Sequence, residues 1–133
     1  MPESADSFLL RLEERCARER AAMRKAANEF MPLLDDHDSK GTTLDREFNA
    51  FVEHLANISS FLKPDDSRRA QLKVQHIEIL LQFRSGIPKT LSNKIKEDVR
   101  SILGYQIDYS RLRSKKFRDM LEYEGTGADV ESE

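Results

Sequence analysis

The sequence predicts an all-α fold, a bundle of about five helices with a long N-terminal helix and a disordered acidic C-terminal tail. Three observations predict it. Apolar residues recur at helical spacing in five successive stretches. The composition is rich in helix formers, with no Trp, only five Gly and four Pro. Capping residues, prolines and glycines fall between the stripes, where helices start and stop. A chain of 133 residues is one ordinary domain, long enough to bury a core without disulfides or metal. Residues 1–123 are expected to form that domain and residues 124–133 the tail.

The first helix is predicted from about Ser4 to Leu33 or Leu34. Leu9, Cys16, Met23 and Phe30 repeat every seven residues, and Leu12, Glu19, Ala26 and Leu33 fill the matching second position. Glu19 is the flaw in that stripe. Pro32 should bend or end the helix, because proline lacks the N–H and clashes with the preceding turn. Asp35 to Thr43 then form a polar loop. Thr42 or Thr43 is expected to cap a second helix, which carries Leu44, Phe48, Phe51, Val52, Leu55, Ile58 and Leu62 on one side.

Pro64 suits a first helical turn, and Asp65 and Asp66 face the positive end of that third helix. Its apolar residues Leu72, Val74, Ile77, Ile79, Leu80, Leu81 and Phe83 wrap more than one face, which predicts a central helix. A buried strand over Val74–Phe83 is the competing reading, but period and length favour helix. Gly86 and Pro88 stop it. A fourth helix, from Pro88 or Thr90 to Leu103, carries Leu91, Ile95, Val99, Ile102 and Leu103, and Gly104 is expected to end it in a left-handed conformation. A fifth is predicted from about Asp108 to Tyr123, with Tyr109, Leu112, Phe117, Met120 and Leu121 inward.

Charge is unevenly spread. The net charge is −2. Residues 64–118 hold 13 basic and 6 acidic residues, whereas residues 119–133 hold 6 acidic and none basic. Cys16 is the only cysteine, so no internal disulfide and no multi-cysteine metal site can form, and its place in an apolar stripe predicts a buried, inert thiol. The acidic N-terminus lacks the basic region of a signal peptide, and Phe8-Leu9-Leu10 is too short to span a bilayer. Cytoplasm or nucleus, with no membrane partner, is the resulting expectation.

Three surfaces are candidates for function. The stretch Asp36-x-Asp38-x-Lys40-Gly41-x-x-x-x-x-Glu47 resembles an EF-hand calcium loop. Asp36 and Asp38 would open the oxygen shell, Gly41 would permit the turn, and Glu47 would close it. The resemblance covers about a dozen residues of that loop motif. Lys40 stands where an oxygen ligand is expected, Thr43 replaces an apolar residue, and no second loop accompanies it. A polar connection rich in turn residues is the alternative. The second surface is Arg111-x-Arg113-x-Lys115-Lys116-x-Arg118, a basic patch able to neutralise phosphates of a nucleic acid or other polyanion, with Lys89, Lys94, Lys96 and Arg100 extending it. A solvated helix face is the alternative there. The third is the stripe of the first helix, where Leu9, Leu12, Cys16 and Met23 either close the chain's own core or dock another protein or a second copy.

No catalytic pattern is visible. No paired carboxylates lie in an apolar run, no nucleophile elbow is present, and there is no Gly-rich phosphate loop. The histidines His37, His54 and His76 stand apart in the sequence. His76 is expected in the core or at its boundary, and His37 is a candidate to join a transition-metal site with Asp36 and Asp38. The expectation is a non-enzymatic helical interaction module, an adaptor or complex subunit, without a resident cofactor unless calcium occupies the Asp36–Glu47 loop.

Overall fold

A computed structural model describes residues 5–35, 41–82 and 87–113. Among the described residues, four helices of more than one turn make up the bundle. Helix α1 spans Ala5–Phe30, α2 Gly41–Ile58, α3 Pro64–Leu81 and α4 Lys89–Gly104. The all-α class is as the stripes predict, and no strand forms among the described residues. Helix α1 ends two residues before Pro32, and the chain tightens into a 3-10 turn over Met31–Asp35.

Helices α1 and α2 share the most extensive interface. The Phe30 ring meets those of Phe48 and Phe51 edge-on, at 5.5 and 5.6 Å between centroids. Glu19 lies against His54. Falling numbers on α1 thus meet rising numbers on α2, and the pair is antiparallel. Met23, Ala27, Phe30, Leu44, Phe51 and Ile58 are fully buried along this seam. Each large side chain removed from water in this way contributes about 1.5–3 kcal/mol before the entropy of ordering it is charged.

Several expectations need correction. The fifth helix starts at Tyr109, one residue after its expected start. Ile107 bridges Leu62 in antiparallel fashion, and the Asp108 N–H donates to the Phe61 carbonyl at 2.8 Å. The helix described there is the single turn Tyr109–Leu112. Residues 114–123, and the tail expected at 124–133, lie outside the described residues. Gly41 is already helical, so Thr42 and Thr43 lie inside α2 and not at its N-terminal cap position. Gly104 is the last residue of α4 with no positive φ. The chain leaves through Tyr105 in an extended conformation, whose N–H is taken up by the Ile102 carbonyl at 3.2 Å.

Helix α3 is not central. Ala70, Val74, Ile77 and Leu81 form its single buried line, at successive steps of four, three and four residues. Leu72 and Ile79 point the other way and are 59% and 55% exposed. The number of apolar residues suggested two buried faces, but one line is enough to close this core. Pro64 opens the helix as expected, with Asp65 and Asp66 in the first turn.

Candidate functional site

The stripe of α1 is core for most of its length. Leu12, Cys16 and Met23 are 7%, 1% and 1% exposed, and Leu9 is half-buried against the same cluster. These side chains contact α1's own bundle and offer no open docking face. Cys16 is a buried free thiol whose pKa burial pushes up, so it carries little thiolate at neutral pH.

The calcium-loop reading meets its limits here. Asp36 and Asp38 lie outside the described residues. Glu47 is on α2, half-buried, with its carboxylate 3.3 Å from Arg46 Nε. Among the described residues no group of three metal-ligating side chains comes together. Of the basic patch, Arg113 is exposed after the last helical turn, while Lys115, Lys116 and Arg118 lie outside the described residues and nothing is placed for the Arg111 side chain. His37 is likewise outside them. His76, expected in the core or at its boundary, is exposed on α3.

What the fold builds instead is a set of polar clamps around the core. Glu19 is the first. The position that broke the apolar stripe pairs with His54 Nδ1 at 2.7 Å. The carboxyl is held below its ordinary value by hydrogen bonds from His54 and then Asn57. A depressed folded pKa stabilises the fold at neutral pH, and that contribution is lost as pH falls below the ordinary value of 4.5. Glu19→Gln is therefore expected to destabilise the protein at pH 7 by about 1 kcal/mol. The difference from wild type should close below pH 4.5. Urea midpoints measured on either side of that pH check it, and a gap that persists in acid would rule out this role for the charge.

The second clamp joins the end of α1 to α4. Ser92, 1% exposed, donates its hydroxyl proton to Asp35 Oδ1 at 2.7 Å, and Lys96 pairs with Asp35 Oδ2. Lys96 first, then Ser92, holds the Asp35 carboxyl below its usual range. A serine and a lysine one turn apart beside a carboxylate invite a nucleophile reading. Here both groups are spent on Asp35. The arrangement fixes the Met31–Asp35 turn on α4.

The third clamp is Asp98 of α4, only 3% exposed. Its carboxylate lies 3.5 Å from Lys73 of α3 and 3.2 Å from Lys94 one turn back. Lys73 and Lys94 keep their heads partly in water, as long cationic side chains do. Arg20 donates to the Leu103 carbonyl at 3.2 Å and ties α1 to the end of α4. Apart from Lys94, one turn from Asp98, none of these partners could be paired from the sequence, because each lies 25 or more residues away. Only the polar break at Glu19 signalled that something had to meet it.

A groove of about 540 Å³ lies between α2 and α3. Val52, Leu55 and Val74 give it an apolar floor, and Gln71, Gln75 and Glu78 give it a polar rim. Beyond that rim, Leu72 and Ile79 stand seven residues apart on α3 and open to solvent. No described helix is long and apolar enough to cross a membrane. Comparison with known proteins gives no match: no family model, no curated protein and no solved structure resembles this chain.

Proposed function

We propose that the chain is a non-enzymatic protein–protein interaction module, an adaptor or a subunit of a larger complex, that receives an amphipathic helix of a partner protein on α3. The observation that supports it is the exposure of Leu72 and Ile79, 59% and 55%, beside an apolar-floored groove. Large apolar side chains stacked two turns apart suit the spacing of anchors on a docking helix. The docking stripe thus moves from α1, where the apolar residues are consumed by the core, to the outer face of α3.

Leu72→Asp with Ile79→Asp tests the proposal. Both positions are solvent-facing, so the double variant is expected to keep the wild-type circular dichroism and melting temperature to within about 0.5 kcal/mol of stability. It is also expected to lose the partners that co-purify with the wild-type chain from its own cells. A folded double variant that retains all of them would sink the proposal. Cytoplasm or nucleus stays the proposed location.

A further inference from the structure

A different face of α1 points to an intramolecular contact. Arg11, Arg15 and Arg18, four and three residues apart, share one side of the helix. They surround a hollow of about 270 Å³ whose apolar wall is Phe8 and Leu12. Arg15 and Arg18 are exposed, and no described carboxylate forms an ion pair with either. Two acids flank this row: Glu19 is committed to His54, and Glu14, one turn from Arg18, forms no described ion pair with it. A row of guanidiniums beside an apolar hollow is complementary to a segment that mixes carboxylates with apolar side chains.

The chain supplies such a segment. Residues 119–133 contain six acidic residues and no basic one, and Met120, Leu121 and Tyr123 alternate with Asp119, Glu122 and Glu124. The topology brings the last described turn, Tyr109–Leu112, to the matching end of the bundle. Because α1 and α2 are antiparallel, the residues before Glu19 run on toward the C-terminal end of α2. The chain returns to that same end after α4, where Ile107 pairs with Leu62 and Asp108 with Phe61. The described residues stop at Arg113, a short step beyond this anchor. The six residues from Arg113 to Asp119 can span about 20 Å when extended.

We infer that the acidic segment 119–133 of the same chain docks on the arginine face of α1 formed by Arg11, Arg15 and Arg18. The contact uses neither Leu72 nor Ile79, and it stands whether or not α3 binds a partner. It places the acidic segment on α1, away from the basic run Arg111–Arg118 that immediately precedes it.

The test uses the full chain with Glu131→Cys carrying a nitroxide. Cys16 is 1% exposed, so the label goes to position 131. Amide signals of residues 11–18 are expected to broaden, and those of Lys89–Arg100 on α4 to stay sharp. The broadening should vanish at about 1 M salt, where charges are screened beyond roughly 3 Å. It should vanish in Arg15→Glu/Arg18→Glu and return when Glu122→Arg and Glu124→Arg are added. Broadening confined to α4, or none anywhere, overturns the inference. So does equal broadening of an unlabelled, isotope-enriched chain mixed with labelled chain, which would assign the contact to a second copy. The wild-type background carries the result even if a charge variant folds poorly.

Discussion

Leu12→Asp combined with Met23→Glu is expected to abolish cooperative folding. Met23 is 1% exposed and Leu12 7%, and both belong to one continuous core cluster. A carboxylate at Met23 finds no cation within the cluster, and one at Leu12 replaces a buried apolar side chain at the edge of the hollow that Arg11, Arg15 and Arg18 surround. The cost of burying an unpaired ion is several kcal/mol after relaxation, and the lost apolar contact adds about 2–3 kcal/mol per site. Two such sites exceed the roughly 5–15 kcal/mol by which domains of this size are stable. Leu10→Asp is the matched control. Leu10 is 56% exposed on the same helix, and the change should shift stability by no more than about 0.5 kcal/mol. Far-UV circular dichroism during a thermal scan distinguishes the two. A sigmoidal melt for the double variant near the wild-type midpoint would mean that the first helix is not locked into this core.

That prediction also marks what a single sequence can and cannot resolve. A heptad of apolar residues on a long helix is the same pattern whether it meets its own bundle or a partner. Leu12, Cys16 and Met23 were legible as one face, but only the positions of α2 and α4 make that face core. The converse holds for α3. Leu72 and Ile79 read as part of a doubly buried helix, yet Ala70, Val74, Ile77 and Leu81 already complete its inner line. Local stripes give the helices, and tertiary packing decides which stripe is in excess.

Starts and stops were legible to the extent that they are local. Pro32 and Pro64 act within one turn, through the missing N–H and the fixed φ, and both helix ends follow from them. The end of α4 was misread because Gly104 suggested a left-handed turn. The exit is instead governed by a distant constraint, the pairing of Ile107 with Leu62, which draws the backbone into an extended path. The buried Asp98 is of the same kind. Nothing near it in sequence requires it to be buried. Its burial is tolerable because Lys73 on α3 and Lys94 one turn away offset its lost hydration.

The candidate surfaces differ in how far the fold supports them. Asp36, Asp38, Lys115, Lys116 and Arg118 fall outside the described residues, so the calcium and polyanion readings gain no geometry. The proposed docking face and arginine face both lie on described helices, and neither was singled out from the sequence. The signal for the arginine face was present in the spacing of Arg11, Arg15 and Arg18. It was masked by the apolar heptad that shares the helix.

Phe30→Ala is the second large effect, expected to cost about 3–5 kcal/mol. Phe30 is fully buried, and its ring is the hub of the α1–α2 seam, edge-on to both Phe48 and Phe51. Edge-to-face pairs add about 0.5–1.5 kcal/mol beyond area, so removing the shared ring loses two of them at once. Its position raises the stakes. It is the last residue of α1, directly ahead of the Met31–Asp35 turn that Ser92 and Lys96 clamp to α4. A cavity there loosens the point where the α1–α2 hairpin is joined to the rest of the bundle. Phe30→Leu keeps most of the volume and should cost no more than about 1.5 kcal/mol. A double-mutant cycle with Phe51→Leu separates the ring contact from the cavity. Coupling of about 0.5 kcal/mol or more between the two leucine variants assigns a distinct share of the loss to the edge-on pair. Additive losses would assign the whole effect to volume.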